Sequence, residues 1–342
     1  EGAIPESGGA RGLTLPAPVR SEPTTLEQYR LRYAVYKSDP DLRLAHASFP
    51  WLVTWDDHEV ENNYADDISQ ADEPYESPEQ FRRRRAAAYQ AYYEHQPLRR
   101  SSLPSGPDML LYRRIAFGNL VAFNVLDTRQ YRHDQTNCLG EPIVDGYCPS
   151  ATDPARTLLG DEQERWLLNG LDRSAARWNV LAQQVIFAQK DNNPDPNEAN
   201  YVGNGDQWDG YKADRDTILR FLQERRPANP VVITGDVHRN YVFDLKADFA
   251  DPASETVGTE FVGTSISSGG NNKIGQTVYG GTPNDPHQQF FNSNRGYVRC
   301  DLTPAQWQAD FRVVATVHDP DAPASTLASF VVEDGRPGAE RV

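Results

Sequence analysis

The sequence predicts a layered α/β fold in which strands and helices alternate along the chain. Short apolar, β-branched runs such as Trp178–Phe187 and Pro230–Thr234 have the composition of buried strands, and segments with helical spacing lie between them. Polar residues gather where these strands end, as they do in α/β proteins whose sites lie beyond the strand ends. Because the chain shows no internal repeat and no low-complexity linker, we expect one domain over residues 1–342.

Two helices in the first third are marked by capping residues. Thr24 and Thr25 precede a helical pattern over 26–36, and Ser77-Pro-Glu-Gln80 is a capping box that opens a helix ending near Pro97. The second helix contains four consecutive arginines, Arg82–Arg85. Since consecutive residues point around the whole circumference of a helix, we interpret this run as a solvated face rather than a phosphate-binding patch.

The stretch between these helices is the most unusual in the chain. Trp51–Trp55 is apolar and β-branched, which predicts a buried strand, and it breaks at once into Asp56, Asp57, His58 and Glu59. Four ionisable side chains at the end of a buried strand are costly to desolvate unless a positive group, such as a metal ion, pairs with them. For a single Asp-Asp pair, a solvated turn would be the better interpretation.

Further elements follow the same plan. We expect a hairpin within 110–126, helices over 161–171 (capped by Asp161 with Glu164) and 214–227, and antiparallel strands over 296–317 and 326–333. The strand ends bring together Asp57 with His58, Asp127 with Arg129, Gln183, and Asp236 with His238.

The amino-acid composition limits the classes of partner that the protein can bind. The net charge of −15 leaves no excess of Lys and Arg for stable binding of nucleic acid or an anionic membrane surface. No apolar run approaches the roughly 20 residues that span a bilayer, so we expect a soluble chain. Any phosphate ligand would need a local partner, which means a metal or a few placed arginines.

The three cysteines are too few for a disulfide framework. Cys138 and Cys148 flank a loop rich in turn residues, where a local bridge and free thiols are both open; we expect the bridge, as in an exported protein. Cys300 stands alone. The chain begins at Glu1-Gly2 without an initiator Met or a signal peptide, so it reads as processed or incomplete.

Carboxylate, amide and imidazole ligands suit a hard divalent cation or ferric iron better than zinc. A Gly-Asp-x-His sequence after a buried strand is short enough for its Asp236 and His238 to face one pocket. Hydrolysis at phosphorus needs an activated water, neutralised phosphoryl oxygens and a proton for the leaving group. Metals, Arg129 and His58 would supply these requirements.

Five motifs in order resemble the series found in the PhoD-type alkaline phosphatase and phosphodiesterase family of the metallophosphatase superfamily. They are Trp55-Asp-Asp-His-Glu-Val-Glu-Asn-Asn63, Leu126-Asp-Thr-Arg-Gln-Tyr-Arg132, Trp208-Asp-Gly-Tyr211, Gly235-Asp-Val-His238 and Glu260-Phe-Val-Gly-Thr-Ser265. The resemblance implies a metallophosphatase-like four-layer sandwich with two mixed β-sheets flanked by helices. It also implies a secreted, periplasmic or extracellular enzyme that uses iron(III) and calcium to cleave small-molecule phosphate monoesters and diesters.

Residue roles follow from the same resemblance. It implies metal-ligand roles for Asp57, Asp236 and His238, and an acid or phosphate-contacting role for His58. Gln183 falls where the family commonly has an Asn ligand. We expect Asp57, Gln183 and Asp236 to share calcium and His238 to belong to the iron site. Arg129 is inferred as a phosphate clamp from its charge and its place at a strand end.

One family feature is missing from the sequence. The family has Cys, Asp and Tyr ligands in an early strand region, and Glu1-Gly2 resembles the pair that directly follows it. We therefore expect a catalytic domain that lacks its N-terminal strands and first metal motif, with part of the metal shell outside this chain. An N-terminal fragment of the same protein is then a candidate second chain. Otherwise the structure should show a gap in the sheet beside the Trp51 and Val231 strands.

Two other function classes stay open. A calcium-binding scaffold or interaction protein would keep the fold without turnover. A glycosidase would use paired carboxylates such as Asp57 and Glu59 and would need no metal. Metal analysis and a phosphatase assay distinguish these two classes from each other and from a metal-dependent phosphoesterase.

Overall fold

The structure is a computed structural model that describes residues 15–69, 76–191, 205–251, 253–269 and 276–342. The start of the chain at Glu1 lies outside these ranges. The chain forms two compact units, the first comprising residues 1–112 and 129–134 and the second comprising 113–128 and 135–342. The expectation of one domain over residues 1–342 stays a prediction.

The first unit contains three helices: α1 (Leu26–Tyr36), α2 (Pro40–Ser48) and α3 (Pro78–His95). Thr25 and Ser77 cap α1 and α3 through the reciprocal bonds of a capping box, so both predicted helix starts are confirmed. An aromatic cluster between α1 and α3 forms the core of this unit, and it includes Tyr29, Trp55, Tyr64, Phe81, Tyr89 and Tyr92.

The predicted strand over Trp51–Trp55 is wrong, since the structure has no β-strand there. Burial along the stretch is not that of a buried strand: Trp51 and Leu52 are exposed and Trp55 is fully buried. Trp55 stacks on Tyr89 of α3 with ring centroids 4.0 Å apart. The apolar composition that suggests a strand is therefore explained by the packing of one aromatic side chain, Trp55, against a helix.

The four arginines of α3 do not form one solvated face. Arg82 and Arg83 are exposed, but Arg84 and Arg85 are buried, so the solvated-face prediction is wrong for half of the run. Arg84 binds Tyr29 Oη and carboxylates of the same unit, and Arg85 binds a carbonyl and further carboxylates. Removing one partner from such a buried network typically costs about 3–5 kcal/mol.

The second unit is built on two sheets. The first has eight strands in the order β1-β2-β3-β4-β6-β5-β8-β7, in which β2, β3, β4 and β6 are parallel to one another. The strand bounds are β1 (Arg113–Phe117), β2 (Val121–Val125), β3 (Trp178–Ala182), β4 (Pro230–Thr234), β5 (Asn240–Lys246), β6 (Thr256–Val262), β7 (Thr277–Tyr279) and β8 (Gln288–Asn292).

The other sheet has the order β12-β11-β10-β9 and is antiparallel throughout. Its strands are β9 (Gly296–Leu302), β10 (Gln306–Val313), β11 (Ser325–Glu333) and β12 (Arg336–Arg341). The predicted α/β class with two sheets flanked by helices is confirmed, and the structure refines one detail, because only the eight-stranded sheet is mixed.

Alternate residues of the central strands face two different cores. Val180 and Val231 pack with Trp307 and Phe330 of the four-stranded sheet. On the other face, the core is completed by α5 (Asp161–Asp172) and α6 (Lys212–Arg225), while the short α4 (Pro149–Thr152) lies earlier in the chain. Gly160, with φ 72°, occupies the cap position predicted for Asp161.

β4 pairs with β3 on one side and with β6 on the other. The predicted gap beside the Val231 strand is therefore wrong.

The predicted bridge between Cys138 and Cys148 is present, and Cys300 is a free thiol. Within the described residues, no helix is both long and apolar enough to cross a membrane.

Candidate metal centre

The carboxyl ends of the parallel strands meet at one edge of the eight-stranded sheet. Because β2, β3, β4 and β6 run in the same direction, the residues that follow them lie along this edge. Asp127 follows β2, Gln183 follows β3, and Asp236 comes two residues after β4. The sequence prediction that these strand ends collect polar groups is thus met within the second unit.

The turn after β4 has an unusual backbone. Asp236 and His238 have φ values of 63° and 52°, in the left-handed region that residues with a Cβ rarely adopt. Two such residues in one turn cost on the order of 1–3 kcal/mol each, and this kind of strain concentrates at functional sites. The Asp and the His of this short turn therefore adopt backbone conformations that the end of a regular strand would not give them.

Both side chains of this turn are held by neighbours. Gln207 Nε2 donates a hydrogen bond to Asp236 Oδ2 at 2.7 Å. His238 Nδ1 lies 3.2 Å from Ser268 Oγ, which would make Nε2 the ligand atom, and Arg295 donates to the His238 carbonyl at 2.8 Å. Support of a ligand side chain by a second protein group is the usual arrangement at metal sites.

Gln183 is tied into the protein at both ends of its amide. Nε2 donates to Val185 O at 2.6 Å and to Thr234 Oγ1 at 2.7 Å, and Oε1 accepts from the indole Nε1 of Trp208 at 3.1 Å. The side chain is buried. Gln183 therefore cross-links the ends of β3 and β4, a role that a buried core amide fulfils without any ligand.

Glu260 continues this network below the β4 turn. Its fully buried carboxylate accepts hydrogen bonds from Thr234 Oγ1 and from the backbone N–H groups of Phe187 and Ala188. Burial raises the pKa of Glu260 to about 7, and these three donors oppose the rise. The residue braces the chain after β3 against β4.

In the first unit, Asp57 belongs to a compact turn. Its Oδ1 accepts from the N–H of His58 at 2.9 Å and its Oδ2 accepts from the N–H of Asn63 at 2.8 Å. The His58 ring is half exposed, with Nε2 3.8 Å from Asp57 Oδ2. A half-exposed imidazole is open to substrate and solvent, which suits a proton donor.

Arg129 is fully buried in the same unit. Its Nε and Nη2 both lie 2.7 Å from Asp56 Oδ1, and Asp56 also has a carboxylate oxygen within 4.8 Å of Asp57. Burial raises the pKa of Glu59, the Asp57 charge adds to this effect, and a hydrogen bond from the Asp56 N–H opposes it. Arg129 thus holds Asp56 beside Asp57 in this structure.

Sequence reasoning missed the residues that support the predicted ligands, namely Gln207, Trp208, Ser268, Glu260 and Arg295. Two of the motifs contained a signal, since Trp208 belongs to Trp208-Asp-Gly-Tyr211 and Glu260 opens Glu260-Phe-Val-Gly-Thr-Ser265. Each motif contains a carboxylate, so residue type alone does not distinguish a ligand from a support. Their function as supports becomes visible only from the contacts.

Comparisons with known proteins agree with this architecture. The family model described as PhoD-like phosphatase matches residues 4–311. Alkaline phosphatase D of Bacillus subtilis (strain 168) is 53% identical over 325 residues, covering 94% of this chain and 54% of the relative. A solved structure named "Structure of PhoD" matches with a TM-score of 0.87 and 48% identity, covering all of this chain and 64% of that one. The chain thus spans about half the length of the curated relative it matches.

Proposed function

The chain belongs to the PhoD-like phosphatase family, and we propose that it is a metal-dependent phosphoesterase of the alkaline phosphatase and phosphodiesterase type. The observation that carries the proposal is the turn after β4, in which Asp236 and His238 both adopt a left-handed backbone and both have supported side chains. Strain of this kind is retained where a site needs it. The name of the Bacillus relative, alkaline phosphatase D, supports phosphate esters as the substrate class.

The donor set of the second unit fits a hard cation. Asp236 offers a carboxylate oxygen, which suits calcium, and His238 offers an imidazole nitrogen, which suits iron. When bound, such metals would neutralise phosphoryl oxygens and activate the attacking oxygen nucleophile. We propose calcium and iron(III) as the pair, as the family resemblance implies.

We assign Asp57, Gln183 and Asp236 to calcium and His238 to iron. Asp57 is supported by its motif and by its burial within the acidic turn. For Gln183, Oε1 is the atom that would face a cation, while the amide nitrogen holds β3 to β4. Its loss should therefore reduce stability as well as metal binding.

The chain's own side chains would bind the substrate and move the proton. We propose that His58 protonates the leaving alkoxide, and its half-exposed ring next to Asp57 supports this role. Arg129 is proposed as the phosphate clamp, and in this structure its guanidinium is engaged by Asp56. Clamping would therefore require the phosphate to share the guanidinium with that carboxylate.

Metal analysis combined with hydrolysis of p-nitrophenyl phosphate and bis-p-nitrophenyl phosphate tests the proposal. We expect bound iron and calcium, and hydrolysis that a chelator abolishes. Calcium binding without turnover would instead favour the scaffold alternative. Cleavage of glycans that persists in chelator would favour a glycosidase.

We also propose that the protein is secreted, to the periplasm or the extracellular space. The Cys138–Cys148 bridge supports this location, because disulfides persist in oxidising compartments. Recovery of the protein from the culture supernatant with both thiols blocked from alkylation would support it. Recovery from the cytosol with both thiols free would contradict it.

A further inference from the structure

We propose that Gln207 is the positioning residue for Asp236, and that the segment Gln207–Tyr211 is a rigid brace built to hold it. This inference rests on the proposed function, because it treats Asp236 as a metal ligand. It gives a role to the Trp208-Asp-Gly-Tyr211 motif, to which the proposed function assigns no part in the reaction.

The side chain of Gln207 is fixed at both ends of its amide. Oε1 accepts from the Ile186 N–H at 2.5 Å, and Nε2 donates to Asp236 Oδ2 at 2.7 Å. A backbone N–H requires an acceptor, so this contact determines which end of the amide is oxygen and directs the nitrogen to Asp236. The side chain is buried and cannot readily exchange these partners for water.

An amide is a suitable support for a carboxylate that must bind a cation. Lys or Arg in this place would orient Asp236 but would also repel the incoming metal. The amide of Gln207 donates a hydrogen bond without carrying a charge, so the negative charge of Asp236 stays available.

The residues after Gln207 hold it rigidly. Trp208 is fully buried, bonds Ile186 O through its backbone N–H at 3.2 Å and packs edge-on against Phe187 with ring centroids 4.9 Å apart. The indole Nε1 donates to Gln183 Oε1, so neighbouring residues of one short segment contact two of the proposed calcium ligands.

Asp209 anchors the middle of the brace. Its carboxylate accepts from Tyr147 Oη at 3.0 Å, from the Lys190 N–H at 2.9 Å and from Arg215. At Gly210, a Cβ would lie 2.2 Å from Gly205 O, so the backbone turns too tightly there for any other residue. The requirement for Asp and Gly in the motif follows from these contacts.

Calcium binding to the metal-free protein, measured by isothermal titration calorimetry, tests the inference. Gln207→Leu and the shorter Gln207→Asn both remove the bond to Asp236, and we expect each to weaken calcium binding by about 10–100-fold. The thermal midpoint in chelator shows that each variant is folded. Using two variants keeps the test valid if one of them does not fold.

Gln289→Leu is the matched control. Gln289 Nε2 also donates to a carboxylate of the same unit, Asp244 Oδ2 at 2.8 Å, but Asp244 lies four residues along β5 from Asn240. We expect this variant to bind calcium like the wild type.

Asp236→Asn tests the metal-ligand role of Asp236 separately from the positioning role of Gln207. If Asp236→Asn loses calcium and both Gln207 variants keep wild-type affinity, the positioning role is wrong and the proposed function stands. If Asp236→Asn binds calcium like the wild type, the metal site itself is wrong and the inference falls with it.

Discussion

The turn at Asp56–Asn63 and the turn at Gly235–Asn240 both place an aspartate beside a histidine, and they orient the aspartate by different means. Asp57 accepts hydrogen bonds from two N–H groups of its own turn. Asp236 accepts from Gln207, 29 residues away, and lies in a strained left-handed conformation. The first carboxylate is positioned locally and the second by tertiary contacts, so substitutions should affect the two turns differently.

The largest expected effect is at His58. His58→Ala should fold normally, because its ring is half exposed, and should slow hydrolysis by about 10²–10⁴-fold, as for loss of a proton donor. The defect should grow with the pKa of the leaving group, which a series of substituted phenyl phosphates measures. An equal defect for every leaving group would instead assign His58 to phosphate binding.

Asp236→Ala should lower metal affinity by at least the roughly 10–100-fold seen when outer supports of a ligand are removed. Asp57→Ala should lose the same metal if both residues hold it. Metal content after dialysis, measured by mass spectrometry, checks both variants. Wild-type metal content and activity in Asp236→Ala would contradict the assignment.

The support of the second turn should also make stability depend on pH. The folded-state pKa of Glu260, about 7, lies above the ordinary 4.5, so the folded protein keeps a proton that the unfolded chain has already released. This contribution is complete below pH 4.5 and is lost as the pH rises to about 7, with a slope of at most about 1.4 kcal/mol per pH unit.

Urea unfolding of the metal-free protein between pH 4.5 and 8 measures this slope. Glu260→Gln cannot titrate, so it should lack this contribution, while those from Glu59 and Glu164, whose pKa values burial also raises, remain. A slope unchanged by Glu260→Gln would show that Glu260 is not the titrating group.

The smallest expected effect is a difference in folding stability between the Asp57→Asn and Asp236→Asn variants. In Asp57→Asn, the new amide NH₂ would face a backbone N–H, because both oxygens of Asp57 are acceptors, and this should cost about 1–3 kcal/mol. Asn at position 236 keeps an oxygen for Gln207, so Asp236→Asn should cost less than about 1 kcal/mol. If the two variants had equal free energies of unfolding in chelator, the proposed difference in how the two turns orient their aspartates would be wrong.

Much of the fold follows from local sequence. Capping boxes define the starts of α1 and α3, and the β-branched run Pro230–Thr234 matches β4 residue for residue. The polar residues at the strand ends were also predictable, since residues after parallel strands share one edge of the sheet. These features depend on bonds between near neighbours or on periodicity.

Other features depend on partners that are distant in sequence. Trp51–Trp55 has the composition of a strand, yet Trp55 is held by Tyr89 of α3, and composition cannot show whether a helix or a sheet receives an aromatic side chain. Arg84 and Arg85 look like solvated charges until the carboxylates that surround them are known.

By itself, the sequence determined which residue types follow Trp55 and β4 and therefore which chemistry is available at Asp57, His58, Asp236 and His238. Only the tertiary structure decided how the second pair is held, because a hydrogen bond from Gln207 or Ser268 depends on the folded path of the chain and has no fixed spacing in sequence. The same holds for Gln183, whose amide proves to cross-link two strands. Residue type limits what a side chain can do, and the geometry of its partners decides what it does.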